Sequence, residues 1–92
     1  MAQINVTIKG ASRDAKLTWN HKMKSLVGGP PNFSGSFKAS PGKYVYAIVV
    51  FGNPTDPWTA AVTDGTITQN FAGHMSPSGF DTTGDTEFEV GA

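Results

Sequence analysis

No cysteine occurs among the 92 residues of this chain, which excludes a disulfide framework, a thiolate metal site and a cysteine nucleophile. The absence fits a reducing compartment without requiring one. A long hydrophobic run is also missing. The longest, Tyr44 to Phe51, falls far short of the roughly 20 apolar residues that a membrane helix needs. Residues Met1 to Asn5 lack a basic segment followed by an apolar one, so no signal peptide is read there. The default expectation is a cytoplasmic location, with export after removal of a leader as the alternative. Charged residues are scarce at 15%, where about a quarter is usual. Glycine, serine, threonine and asparagine take their place, which argues against long helices and for turn-rich β structure.

Basic residues are lacking altogether after Lys43. Residues 1–43 carry Lys9, Arg13, Lys16, Lys22, Lys24, Lys38 and Lys43 against Asp14 alone, a formal +6. Residues 44–92 carry Asp56, Asp64, Asp81, Asp85, Glu87 and Glu89 with no basic partner, a formal −6. The net charge of zero therefore conceals a dipolar chain. Folding must either pair these charges across neighbouring strands or leave surfaces of opposite sign, and the second outcome favours association.

What is present reads as one β domain spanning residues 1–92. Aromatic residues make up 11% of the chain, enough to supply a core at this size. Ile4, Val6 and Ile8 alternate with Asn5, Thr7 and Lys9, giving a strand over Gln3 to Lys9 with one wet face. Ala15, Leu17 and Trp19 form a second alternating set. His21 to Val27 extends that strand with a bulge or makes a helical turn, and Gly28-Gly29-Pro30-Pro31 ends it. Phe33, Gly35 and Phe37 mark a third strand. Pro41 and Gly42 suit the centre of a type II turn and a hairpin. Tyr44 to Phe51 lacks polar alternation, which predicts a central strand covered on both faces. Trp58, Ala60 and Val62 mark the next strand, and Asp64-Gly65 predicts a two-residue hairpin leading into Thr66 to Phe71. A polar loop over 72–84 and a last strand over Thr86 to Val90 complete the series.

About seven strands with turn signals at short intervals predict an all-β fold: an immunoglobulin-like two-sheet antiparallel sandwich, with a small β-barrel as the alternative. The segment Ser40 to Tyr46 resembles the Pro-Gly-x-Tyr-x-Tyr hairpin that recurs in unrelated bacterial sandwich domains, which implies a fold class and no family. The predicted core comprises Ile4, Val6, Ile8, Leu17, Trp19, Phe37, Tyr46, Ile48, Val50, Trp58, Val62, Ile67, Phe88 and Val90.

Catalytic chemistry finds little footing. His21 and His74 are the only histidines, neither beside a nucleophile motif, and Ser78 lies in no G-x-S-x-G elbow. Asp81-Thr82-Thr83-Gly84 differs from the Asp-Thr-Gly of aspartic proteases by an inserted threonine. Asp81, Asp85 and Glu87 offer hard oxygens for calcium but not in the alternating pattern of an EF-hand loop. The reading is therefore of no enzyme, no cofactor and no metal. Trp19 to Lys24 sets lysines beside an aromatic ring, as single-strand binders do. The neutral net charge and isoelectric point near 6.7 weigh against nucleic acid.

Two binding readings remain. The preferred one is a non-catalytic binding or assembly module acting through protein–protein contacts, including contacts with its own copies. Lys9, Lys16, Lys22, Lys24, Glu87 and Glu89 are its electrostatic residues. The alternative is a small lectin-like carbohydrate binder, in which Trp58 stacks on a sugar ring and Asn53 and Asp56 read its hydroxyls.

Overall fold

Alternation in the first strand has the consequence that a period of two requires: Ile4, Val6 and Ile8 are buried, and Asn5, Thr7 and Lys9 are exposed. This is seen in a computed structural model of the chain, which describes residues 2–91. The described strands are β1 (Ala2–Lys9), β2 (Asp14–Trp19), β3 (Lys22–Lys24), β4 (Val27–Gly29), β5 (Asn32–Ala39), β6 (Gly42–Phe51), β7 (Pro57–Thr63), β8 (Thr68–His74), β9 (Phe80–Thr82) and β10 (Thr86–Val90). They build two antiparallel sheets packed as a β-sandwich. The first sheet runs β4-β5-β1-β7-β8, and the second runs β10-β6-β2-β3 with β9 also paired to β6. The two-layer architecture is the one expected. Seven of the strands have five or more residues, and the three short ones are additions.

Hairpins β2–β3, β4–β5 and β7–β8 stay within a sheet, as does the short β9–β10 connection, and every other connection crosses the sandwich. The chain therefore alternates between layers as it grows, and each crossing buries another apolar face. The core contains Ile4, Val6, Ile8, Leu17, Trp19, Tyr46, Ile48, Val50, Trp58, Val62, Phe88 and Val90, all predicted, together with Ala15, Ala60 and Met75. Each fully buried aliphatic side chain contributes about 1.5–3 kcal/mol of transfer free energy. Phe37 packs against this core while remaining partly exposed.

Several expectations need correction. Ile67, predicted in the core, is half exposed. Its strand starts at Thr68, two residues later than expected, because Asp64 does not occupy the centre of a two-residue turn. Instead the Asp64 carboxylate accepts the backbone N–H groups of Thr66 and Ile67 at 2.9 and 2.8 Å, and Gly65 takes the positive φ of 93°. The turn is thus shifted by one residue. Those two N–H donors, Ile67 first, hold the Asp64 carboxyl below its ordinary range. Pro41-Gly42 joins β5 to β6, which lie in different sheets, so it is a crossover and not a hairpin.

His21 to Val27 resolves into the end of a hairpin and the start of another strand. Asn20 and His21 both have positive φ, 51° and 64°. This is the primed two-residue turn whose twist matches the flanking strands, with His where Gly is usual. The proposed polar loop over 72–84 contains the end of β8 and all of β9. Finally, β6 is central, as expected, but only one of its faces is covered. Val45, Ala47, Val49 and Phe51 are partly exposed on the outer face of the second sheet.

Candidate association surface

The charge segregation becomes geometry through the strand order. In the second sheet β3 forms one edge, and β9 with β10 forms the other. Lys24 reaches from β3 across the sandwich, its Nζ 4.8 Å from the centroid of the Phe37 ring on β5. Gln69 on β8 donates through Nε2 to the Glu87 carbonyl of β10 at 3.0 Å. These contacts place β3 over β5 on one flank and β8 over β10 on the other. The first flank carries Lys22, Lys24 and Lys38, and the second carries Glu87, Glu89 and the loop residue Asp85.

Lys9 and Lys16 occupy neither flank. Lys9 ends β1 in the middle of the first sheet, and Lys16 lies on β2, which β6 separates from β10. Neither meets Glu87 or Glu89, so the cross-strand pairing considered for these residues does not form. Lys43 stands opposite Glu89 in the β6–β10 register. The one ion pair within 4 Å among the described residues joins Lys16 to Asp14 at 3.9 Å, with both side chains more than half exposed. Such a pair is worth about 0–1 kcal/mol. Most of the charge is therefore unpaired and free to act outward.

The residues of the carbohydrate reading lie at the opposite end from the β2–β3 turn, and they are engaged internally. Trp58 is 4% exposed, and its indole N–H donates to Asp81 Oδ2 at 2.8 Å. No ring face is left to stack on a sugar. The Ser12 hydroxyl donates to Asp56 Oδ2 at 3.2 Å and accepts the Asn53 backbone N–H at 3.2 Å. Arg13 Nη2 donates to Asn53 Oδ1 at 3.2 Å. These bonds tie the β1–β2 loop to the β6–β7 loop. Asp81, read from the sequence as a loop acid, is the inward residue of β9 and the partner of Trp58. Sequence reasoning missed this role because the two residues meet only across the sandwich. Asn70 and His74 stand on β8.

The outer faces of the two sheets differ. On the first, Asn5, Thr7, Ser34, Ser36, Thr59 and Asn70 present hydroxyls and amides. The Ser36 hydroxyl, which accepts from Gln3 at 2.7 Å, donates to Asn5 at 2.9 Å. A shallow depression of about 550 Å³ lies between Thr7, Lys9, Thr59 and Asn70. The second sheet shows the β6 stripe instead, extended by exposed Phe80 beside Phe51 and by exposed Met23 beside Thr18. Compared with family models, curated proteins and solved structures, the chain matches none.

Proposed function

We propose that this domain is a non-catalytic association module that docks through the oppositely charged flanks of its sandwich. A second copy of the chain is the simplest partner, because it supplies both signs. The separation of Lys22, Lys24 and Lys38 from Glu87, Glu89 and Asp85 onto opposite flanks carries this reading. Complementary flanks steer encounter and fix orientation more than they add affinity. A basic flank meeting an acidic one is a heterologous contact, which closes into a ring or grows as a filament. The strand directions permit such growth: β3 and β10 are antiparallel to one another within one sheet, so copies related by translation keep an antiparallel order at the junction.

The test is solution mass by light scattering after size exclusion, at low and high salt. The K22E/K24E double variant is run beside the unaltered chain. The expected result is a multimer at low salt that shrinks as salt rises, with the variant remaining smaller at every salt concentration. A monomer throughout defeats the self-association form of the reading. A multimer of the same size in salt and in the variant removes the charges from its cause.

A further inference from the structure

A sandwich of two open sheets has four edges, and three of these are guarded in the ways that proteins use against edge pairing. Strand β3 has three residues, two of them lysines. Strand β4 also has three, and Pro30 and Pro31 follow it directly. The β9–β10 edge is interrupted at residues 83–85, bears Glu87 and Glu89, and has its Glu87 carbonyl occupied by the Gln69 side chain. Strand β8 is the exception. It runs seven residues, Thr-Gln-Asn-Phe-Ala-Gly-His, without proline, lysine or carboxylate, and among the described residues it pairs only with β7.

The ladder shows which of its backbone groups are free. The N–H of Met75 donates to the Asp56 carbonyl at 2.8 Å, and the N–H of Asp64 donates to the Ile67 carbonyl at 3.2 Å. Both pairs continue the β7–β8 register, one at each end. Bonded and non-bonded pairs alternate in an antiparallel ladder, so Gln69, Phe71 and Gly73 face β7. Thr68, Asn70, Ala72 and His74 turn their N–H and C=O groups away from it. Pro57, which has no N–H, stands opposite His74, where the alternation asks for none.

We infer that the free edge of β8 pairs antiparallel with the β8 of a second copy, joining two first sheets into one continuous sheet. This rests on the association reading only in its premise that copies of the chain meet, and the contact itself is separate from the charged flanks. A two-fold axis through Phe71 sets Asn70 of one copy against Ala72 of the other, and Thr68 against His74. Every outward N–H and C=O then meets its complement. The paired side chains are small or uncharged, so no like charges oppose one another in the ladder. Because the contact is isologous, one patch of one chain supplies both halves. The acidic β10 lies beneath β8 in each copy. The two-fold brings these acids nearer, so added salt leaves this dimer unchanged or tightens it, whereas flank docking weakens in salt.

The experiment uses the whole chain and its A72P and A72K variants. Mass is followed against concentration at low and high salt, together with amide hydrogen exchange. Proline at 72 removes an outward donor and leaves the β7 ladder intact. Lysine there adds the usual edge guard without touching the backbone. A dimer that persists at high salt, after any flank-docked assembly has dispersed, is expected, with slowed exchange at Asn70 and Ala72. Affinity should fall about tenfold in A72P, which loses a hydrogen bond of about that worth, and should fall in A72K as well, whose lysine brings charge to the edge. A dimer of unchanged affinity in A72K, or fast exchange at these amides within a dimer, overturns the β8 assignment. A salt-sensitive multimer unaffected by either variant does the same and leaves flank docking standing. A monomer at all concentrations overturns both. Should A72P fail to fold, A72K and the exchange of the unaltered chain still decide the matter.

Discussion

The two tryptophans are buried to nearly the same extent, 5% for Trp19 and 4% for Trp58, yet their surroundings are opposite in kind. Trp19 sits among rings: Phe37 at 4.9 Å edge-on, Tyr44 at 5.0 Å, Tyr46 stacked at 5.8 Å and Phe88 at 6.1 Å between centroids. Trp58 lies across Gly73, its direct cross-strand neighbour, and spends its indole N–H on Asp81. One end of the sandwich is held by apolar area and ring geometry. The other is held by close backbone approach and by polar bonds between loops. Identical burial does not imply identical sensitivity, since apolar packing responds to lost volume and the polar end responds to added volume or a lost partner.

The aromatic end should give the largest effect. Trp19→Ala removes the ring that four others contact, and large-to-small changes of this kind cost about 3–5 kcal/mol. A domain of this class has only about 5–15 kcal/mol in total. Urea titration should show a midpoint far below that of the unaltered chain, or no folded baseline. A loss under about 1 kcal/mol would mean that the cluster collapses around the gap, and the contrast between the two ends would fail.

The aromatic end was also the more legible one in the sequence. Leu17 and Trp19, and Phe88 and Val90, sit in alternation with polar residues, and alternation alone assigns them inward. Trp58 was placed in the core by the same rule, through Ala60 and Val62. What alternation cannot carry is the identity of a partner on another strand, so the Trp58–Asp81 bond and the tie of Ser12 to Asp56 were hidden. The turn at 64–67 shows a second limit. Asp-Gly is a strong reversal signal, but the Asp64 side chain captured two N–H groups and moved the reversal by one residue, carrying Ile67 out of the core. The unbroken apolar run of β6 shows a third. It signals a central strand truthfully, but it cannot distinguish a face covered by its own chain from one left open. The segregation of charge was visible at once, whereas its placement on two flanks needed the strand order.

The loop end is tested by adding a single methyl group. A Cβ at Gly73 would lie 2.6 Å from Asp81 Oδ2 and 2.9 Å from Trp58 Nε1, closer than real contacts allow. Gly73→Ala should therefore push apart the two partners of that bond. Overpacking costs about 1–3 kcal/mol, and we expect a value within that range, smaller than at Trp19. The indole N–H resonance of Trp58 should shift while that of Trp19 stays in place. If both resonances hold and stability is unchanged, the close approach is not what secures this end.

The smallest expected effect belongs to a polar bond of the aromatic end, in which the Tyr46 hydroxyl donates to Gln69 Oε1. Tyr46→Phe keeps the ring and removes the donor, and should cost about 1 kcal/mol. The pH dependence isolates the hydroxyl from the ring. Burial pushes the Tyr46 hydroxyl well above its ordinary pKa, so the folded chain retains this proton where the unfolded chain releases it, from about pH 10 upward. The sign follows from linkage: the contribution is fully present below the unfolded pKa and is lost as pH rises beyond it. The unaltered chain should therefore lose stability more steeply above about pH 10 than Tyr46→Phe does, and the two curves should converge with rising pH. Parallel curves through this range would show that the Tyr46 hydroxyl reaches solvent, and the aromatic end would then be wetter than its packing implies.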